Sequence, residues 1–353
     1  MIWFPFKVSY KNLLGIDIGT SSIKIVELSR RGDKIKLENY GEMSADAFYE
    51  KPFRSSDGSM LLLSNSEIAK AILAILEEAK ISEKKANFSI PDFSTFFVDF
   101  ELPPMTKNEL PEAVRFSAKQ YIPMPLSEVT LDWAIIEGAP KNGGLSSSSK
   151  ILLVAIPNTI IRQYQEIASL ANLKLQSIEA EAFGLLRALV KEDKKTICLV
   201  DIGAQSVTVN IVDKGILKKS HSFDISGNEI TQVISKSLNV DVKEAEYLKR
   251  EKGLLLPELA KVLIPLVDFI IAEIEKTSHN FRQTDGKEIE KIILAGGSSL
   301  LPGLKKYFLE ALKTEVEIGD PFLGILYPEV LSESLAKFSP SYAIAVGMAL
   351  KGL

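Results

Sequence analysis

The chain has 353 residues, more than one ordinary hydrophobic core organises, so length alone favours two or more domains. Its 46% hydrophobic and 25% charged residues exclude a disordered chain, and 42 Lys plus Arg against 46 Asp plus Glu, a net charge of -4, supply no electrostatic footprint for nucleic acid. One cysteine, Cys198, excludes an internal disulfide; with only His221 and His279 beside it there is no Cys/His zinc constellation, and the cytosol is the expected compartment.

In chain order, MIWFPFKVSYK carries aromatics, Trp3, Phe4 and Phe6, but neither the basic leader nor the long apolar core of a secretory signal. LLGIDIGTSSIKIVEL (13–28) then alternates at period two around a small glycine turn, the pattern of a hairpin. Asp17 interrupts its apolar run, and a buried carboxylate needs a partner or a ligand. IKLENYGEM continues the alternation more weakly, and residues 66–80 read as a helix with Ile68, Ala71, Ile72, Ile75 and Ala79 on one face and Ser66 available as cap. TKNELPEAVRFSAKQYI opens with Thr106 and Glu109 at capping-box spacing and predicts a helix despite Pro111. PKNGGLSSSSK (140–150) is a flexible connection, and Asn158 starts a further helix. Residues 91–176 therefore read as strand, helix, strand, long loop, strand, helix: a compact α/β unit set inside a larger one.

TICLVDIGAQSVTVNIVDKG (196–215) repeats the first motif, matching Asp17, Ile18, Gly19 and Ser22 with Asp201, Ile202, Gly203 and Ser206. So long a period indicates two similar domains rather than a solenoid. LLLPELAKVLIPLVDFIIAEIEK (254–276) is broken by Glu258, Lys261, Pro265, Asp268 and Glu273, short of a membrane span, and predicts a buried amphipathic helix kinked or broken at the proline. KIILAGGSSLLPGLKKYF (291–308) runs from apolar strand through Gly296, Gly297, Ser298 and Ser299 into a helix.

Backbone N–H groups of a glycine turn can converge on an oxyanion, with hydroxyls of Thr20, Ser21, Ser22 and Ser206 close by. One turn holds a phosphate weakly; two facing turns can grip a polyphosphate, so the duplication favours a nucleotide. Asp17 and Asp201 at equivalent strand ends would hold Mg²⁺ through its hydration shell, and Lys24 could reach a phosphate as a point charge. Taken singly, each turn is also compatible with an ordinary hairpin bearing an edge Asp, and the Gly-Gly junction with packing alone. The sequence contains no P-loop, dinucleotide fingerprint, nucleophile elbow or H-E-x-x-H motif, and the two histidines are isolated.

These residues resemble the actin-like ATPase superfamily, which also holds heat-shock chaperones, sugar kinases and FtsA. The resemblance implies an α/β, ribonuclease H-like fold of two duplicated domains closing over ATP and Mg²⁺, with a small α/β subdomain inserted. It places Asp17, Gly19, Thr20, Ser21, Ser22 and Lys24 in the first phosphate motif, and Asp201, Gly203, Ala204, Gln205 and Ser206 in the second. Gly296, Gly297 and Ser298 resemble the adenosine motif, and AEYLKR, through Glu246 and Lys249, the helix that contacts ribose and base. In QSIEAEAFGLLRAL, Glu179 stands where the family orients the attacking water, with Glu181 a second candidate; both also suit a solvated helix start.

Within the superfamily the chain is most similar to the PilM family of type IV pilus assembly, through LPPMTKNELPEAVRFSAKQYIPMPLSEVTLDW (102–133) and ISGNEITQVISKSLNVDVKEAEYLKR. The implied boundaries are 1–90 with 177–192 for the first domain, 91–176 for the insert, 193–227 with 290–353 for the second domain and 228–289 for its helical subdomain. The implied function is an ATP-binding cytoplasmic scaffold of a pilus or related secretion machine. It would bind the cytoplasmic tail of an inner-membrane PilN-like protein, with other assembly proteins or self-association as further contacts, and touch the membrane only through a partner. Phe96, Phe97, Phe100 and Tyr121 are candidates for the peptide groove, although aromatics there also suit a core. The alternative is an FtsA-like division scaffold that polymerises at the membrane; FtsA continues into a linker and an amphipathic helix, whereas this sequence ends at FSPSYAIAVGMALKGL. Ala204-Gln205 is poorer in glycine than strong ATPases are, and the connecting helix offers Glu where related chains often have Asp or Gln, so binding is expected more than fast hydrolysis.

Overall fold

The structure, a computed structural model, describes residues 11–45, 61, 63–138, 148–191 and 193–353. Trp3, Phe4, Phe6 and most of the Gly/Ser-rich connection lie outside these residues. The first motif forms β1 (Lys11–Ile18) and β2 (Ser22–Arg31), antiparallel partners that continue into β3 (Lys34–Ser44). After α1 (Asn65–Glu78), β4 (Lys85–Ile90) pairs parallel with β1. The insert follows: β5 (Phe96–Leu102), α2 (Leu110–Tyr121), β6 (Val129–Glu137) and β7 (Ser149–Pro157), an antiparallel sheet in the order β5-β7-β6. The chain returns through α3 (Asn158–Leu170), β8 (Lys174–Ala180) and α4 (Glu181–Leu189).

The second half repeats the plan with β9 (Thr196–Ile202), β10 (Val207–Asp213) and β11 (Ile216–Phe223), then α5 (Gly227–Leu238), α6 (Val242–Glu251) and α7 (Pro257–Asp285). It closes with β12 (Lys291–Ala295), α8 (Leu304–Leu312), β13 (Glu315–Ile318), β14 (Ile325–Leu326), α9 (Ser332–Ala336) and α10 (Ala343–Leu350). One sheet has the order β14-β3-β2-β1-β4-β8, the other β11-β10-β9-β12-β13. Apart from β14 the two orders correspond strand for strand, each with an antiparallel meander of three strands followed by two parallel neighbours. This is the duplicated actin-like architecture.

Local chemistry accounts for most element ends, with three differences from the sequence reading. Ser64, not Ser66, caps α1, in a reciprocal capping box with Glu67. The Thr106 N–H and hydroxyl both donate to Glu109, at 2.7 and 2.8 Å, but they order the turn before α2, which starts at Leu110 with Pro111 in its first turn. The helix predicted to kink or break at Pro265 does not break there and runs 29 residues as α7. Pro265 lies on its exposed side, where water can satisfy the carbonyl that the proline leaves unbonded.

The boundaries of the units also differ. α3 buries Ile160, Tyr164, Ile167 and Ala168 in the core of the first domain, and β8 is an edge strand of its sheet, so the inserted unit occupies about 91–157 rather than 91–176. The C-terminal segment does not stay with the second domain. β14 pairs with β3, and α10 packs on the first sheet so closely that a Cβ on Gly15 would lie 1.9 Å from the Ala345 carbonyl oxygen. α10 also crosses α4 at two glycines, where a Cβ on Gly347 would lie 1.9 Å from the Gly184 oxygen. No helix among the described residues is long and apolar enough to cross a membrane.

Candidate nucleotide site

Two hairpin turns form the floor of the site. Gly19 N–H donates to the Ser22 carbonyl and Gly203 N–H to that of Ser206, each at 3.0 Å, so both turns close identically. A Cβ at either glycine would sit 3.0 Å from that same carbonyl, tighter than a side chain is normally held. The turns face each other: the Thr20 hydroxyl donates to Gln205 Oε1 at 2.8 Å across 185 residues of sequence. Ser21 is fixed from behind, its carbonyl accepting from Ala45 N–H.

Asp17 is buried, and its partner is Ser89 on β4, whose hydroxyl donates to Oδ1 at 2.8 Å. Lys24 stands opposite Asp17 in the β1–β2 register. Its ammonium donates to the Ser22 hydroxyl and pairs with Glu42 at 3.4 Å, beside the Tyr342 ring. Asp201 has no such hydroxyl. Its strand neighbour on β12 is Ala295, and its Oδ1, shut away from solvent, makes no hydrogen bond. Burial, together with the charge of Asp17, pushes Asp201 up to about 7, while Lys24 pulls the other way. The three side chains thus share one electrostatic field.

The roof comes from β12, α5 and α6. Gly296 has φ +81, and a Cβ there would lie 2.4 Å from Asp201 Oδ1, so only glycine lets this junction approach the second turn. Gly227 and Asn228, at the start of α5, donate their N–H groups to the carbonyls of Gly203 and Ala204, and a Cβ on Gly227 would lie 2.3 Å from Ser298 Oγ. Lys249, buried, donates to the Gly227 carbonyl and the Thr231 hydroxyl and pairs with Glu246 at 2.6 Å. Burial lowers the Lys249 pKa despite that pair. Burial works against the Glu246 carboxylate too, but Lys249, Thr231 and Arg250 together more than offset it and hold its pKa down. Gly297 is exposed and Ser298 half-buried. Asp201, Gly203, Ala204, Ser206, Gly296, Ser298, Glu246 and Lys249 are therefore gathered around the start of α5, facing the turn that carries Asp17, Gly19, Thr20, Ser21, Ser22 and Lys24.

The two carboxylates proposed for catalysis sit differently. Glu179 pairs with Arg187 at 2.9 Å and with Lys351, while Arg187 also donates to the Gly347 carbonyl, so Glu179 fastens the crossing of α4 and α10. Glu181 opens α4, half-buried, in the first turn where an acid suits the helix dipole. Among the aromatics, Phe100 is buried and stacks on Tyr121 at 5.4 Å, and Phe97 packs on Phe183. Phe96 lines the same core, and only Tyr121 is largely exposed.

Three site residues escaped the sequence reading. Ser89 needs the β1–β4 register to be seen. Gly227 had a signal, since Ser226 and Glu229 flank it at N-cap and N3 spacing, and Ser226 does cap α5. Asp92, in the turn between β4 and β5, is buried, and its Oδ1 accepts from Ala182 N–H at the start of α4. Burial first, then the charge of Asp201, push Asp92 up to about 7. For Mg²⁺ the residues fit: a carboxylate pushed up by burial and by the charge of a second one, with an unpartnered oxygen, is what a hydrated divalent cation relieves.

A family model described as type IV pilus assembly protein PilM matches residues 15–353. The chain belongs to this family. The structure of a PilM–PilN type IV pilus biogenesis complex superposes with a TM-score of 0.84 at 24% identity, covering 96% of this chain and 98% of that one. MreB5 of Spiroplasma citri bound to AMPPNP has the same fold more distantly, at a TM-score of 0.50 and 13% identity over 96% of this chain and 94% of that one. Among curated relatives, the cell division protein FtsA of Streptococcus pneumoniae serotype 2 is 22% identical over 96% of this chain and 83% of its own length. This PilM-family chain thus keeps the actin-like fold from its first glycine turn to its last helix.

Proposed function

We propose that this PilM-family protein is a cytoplasmic pilus-assembly scaffold that holds ATP with Mg²⁺ between its two turns and binds the cytoplasmic tail of a PilN-like membrane protein. The observation that carries the reading is the Thr20–Gln205 hydrogen bond, which supports two phosphate turns acting on one ligand rather than on two. In this reading the N–H groups of both turns and Lys24 take the phosphates, and Gly296 and Ser298 with Glu246 and Lys249 flank the nucleoside. Asp17 and Asp201 would hold the hydrated Mg²⁺, which supplies charge neutralisation for the phosphates when bound. The ion pairs of Glu179 with Arg187 and Lys351 favour holding ATP over rapid turnover, since a carboxylate so engaged is poorly placed to orient water.

Titration with a fluorescent ATP analogue tests the site: binding that needs Mg²⁺ and falls at least about tenfold in Asp201→Asn supports it, and equal binding by both proteins overturns it. A pull-down with PilN-type tail peptides, with and without ATP, tests the partner, and failure to capture any of them overturns that part. The likeness to FtsA over 96% of this chain and 83% of that protein supports a second reading. ATP-dependent filaments sedimenting with liposomes in the absence of any partner would favour it.

A further inference from the structure

Among the described residues, five buried side-chain polar atoms make no hydrogen bond: Asp92 Oδ2, Asp201 Oδ1, Asn210 Nδ2, Asn210 Oδ1 and Ser220 Oγ. They fall in one place. Asn210 and Ser220 are cross-strand partners on β10 and β11, and Thr208, two residues before Asn210, is the partner of Asp201 on β9. The period of two puts Asp201, Asn210 and Ser220 on one face of the second sheet. Asp92 comes to that face from the other domain. It is tied to the start of α4 through Ala182 N–H, and the Asn210 side chain lies close enough to pull its pKa down against the effect of burial.

Orphaned polar groups in such a setting are destabilising, so the unpartnered atoms of Asp92 and Asn210 mark an arrangement that a small movement would improve. The complementarity is already present, because Asn210 Nδ2 is a donor without an acceptor and Asp92 Oδ2 an acceptor without a donor. We propose that Asp92 and Asn210 form a clasp across the seam between the two domains, completed when the cleft closes on nucleotide. Asp92 lies four residues before β5, so the clasp delivers closure to the root of the insert.

The insert is also fastened to the second domain. Lys150 on β7 pairs with Asp285 at the end of α7 at 2.8 Å, and the buried Lys218 on β11 reaches the Ile136 carbonyl and Glu137 on β6 at 3.0 and 2.7 Å. A movement of the second domain therefore carries the insert with it, relative to the first domain. Asp92 and Asn210 are positioning residues in this account, which rests on the nucleotide reading and names how that site would be felt at the insert.

The test uses the full chain with Asp92→Ala, Asn210→Ala and the double variant. Nucleotide affinity is measured by fluorescence, and amide exchange is followed over 96–102 and 149–157 with and without Mg–ATP. Wild type should slow exchange in these strands about tenfold with Mg–ATP, and either single variant should lose most of that response. Each should also weaken nucleotide binding by about three- to tenfold, with the double variant no worse than a single one, as for two ends of one contact. A purely structural role gives additive losses and an unchanged exchange response, and that result overturns the clasp. Nucleotide binding by wild type without any exchange response overturns the clasp alone, whereas no nucleotide binding overturns both the clasp and the reading beneath it. Asn210→Asp, which keeps the fold's polarity but meets Asp92 with a like charge, should abolish the response even if the alanine variants fold poorly.

Discussion

The two halves of the molecule present the same Asp-Ile-Gly turn at the same place in the same sheet topology, yet their aspartates live in different surroundings. Beside Asp17 the neighbouring parallel strand supplies Ser89, which hydrogen-bonds it; beside Asp201 the equivalent strand supplies Ala295. Two residues earlier the halves differ again. Gly15 lets α10 lie against the first sheet, whereas Leu199 fills the apolar seam of the second. The repeat therefore conserves a turn geometry, while the flanking strands decide which carboxylate is satisfied by protein and which keeps an oxygen without a hydrogen bond.

The largest way to break this asymmetry is at the helix crossing peculiar to the first half. Gly347→Ala would drive a methyl into the Gly184 carbonyl and should cost about 3 kcal/mol or more in denaturant unfolding, with loss of the folded protein as the extreme outcome. Ser89→Ala should orphan Asp17 as Asp201 is orphaned and cost about 1–3 kcal/mol by the same measurement; an unchanged midpoint would mean that water replaces the hydroxyl.

The pH dependence sharpens the comparison from the other side. Asp92 and Asp201 have pKa values near 7 in the fold against 3.8 in an unfolded chain, so the folded protein holds their protons more tightly. The stability this lends is full below about pH 4 and is lost as pH rises through about 7. Thermal unfolding of the nucleotide-free protein should follow that fall, and Asp201→Asn should flatten it. Ala295→Ser, which offers Asp201 the hydroxyl that Asp17 already has, should move the fall to lower pH. The smallest effect is expected for Thr20→Val, which removes only the bond between the turns and should cost about 0.5–1.5 kcal/mol.

Much of the fold could be read without coordinates because it rests on local rules. Period-two alternation marks β1, β2, β9 and β10, and the strand, helix, strand, loop, strand, helix order of 91–176 is the order observed. The limits of the units could not be read that way. α3 and α10 have ordinary helical sequences, and which sheet each one covers depends on long-range packing of Tyr164 and of Gly15 against Ala345. The same holds for the site. Glycines at 19 and 203 announce themselves through the repeated Asp-Ile-Gly turn, and Gly296 stands at a junction whose positive φ admits little else. Asp92 sits in an unremarkable PDFS turn, and nothing local separates it from a surface acid.

The sequence by itself thus determined the duplication and the two turns, because these follow from side-chain periodicity and the steric demands of glycine, both encoded within a few residues; the actin-like class was legible only through the resemblance of those motifs to a known superfamily. The partners of the charges were decided only by the tertiary structure. Ser89 reaches Asp17, Ala295 offers Asp201 Oδ1 no hydrogen bond, and Asp92 comes near Asn210 across the seam because strand register and domain packing brought together residues 72, 94 and 118 positions apart. The free energy of a buried carboxylate depends on what stands within a few ångströms of it, and that is a property of the folded chain alone.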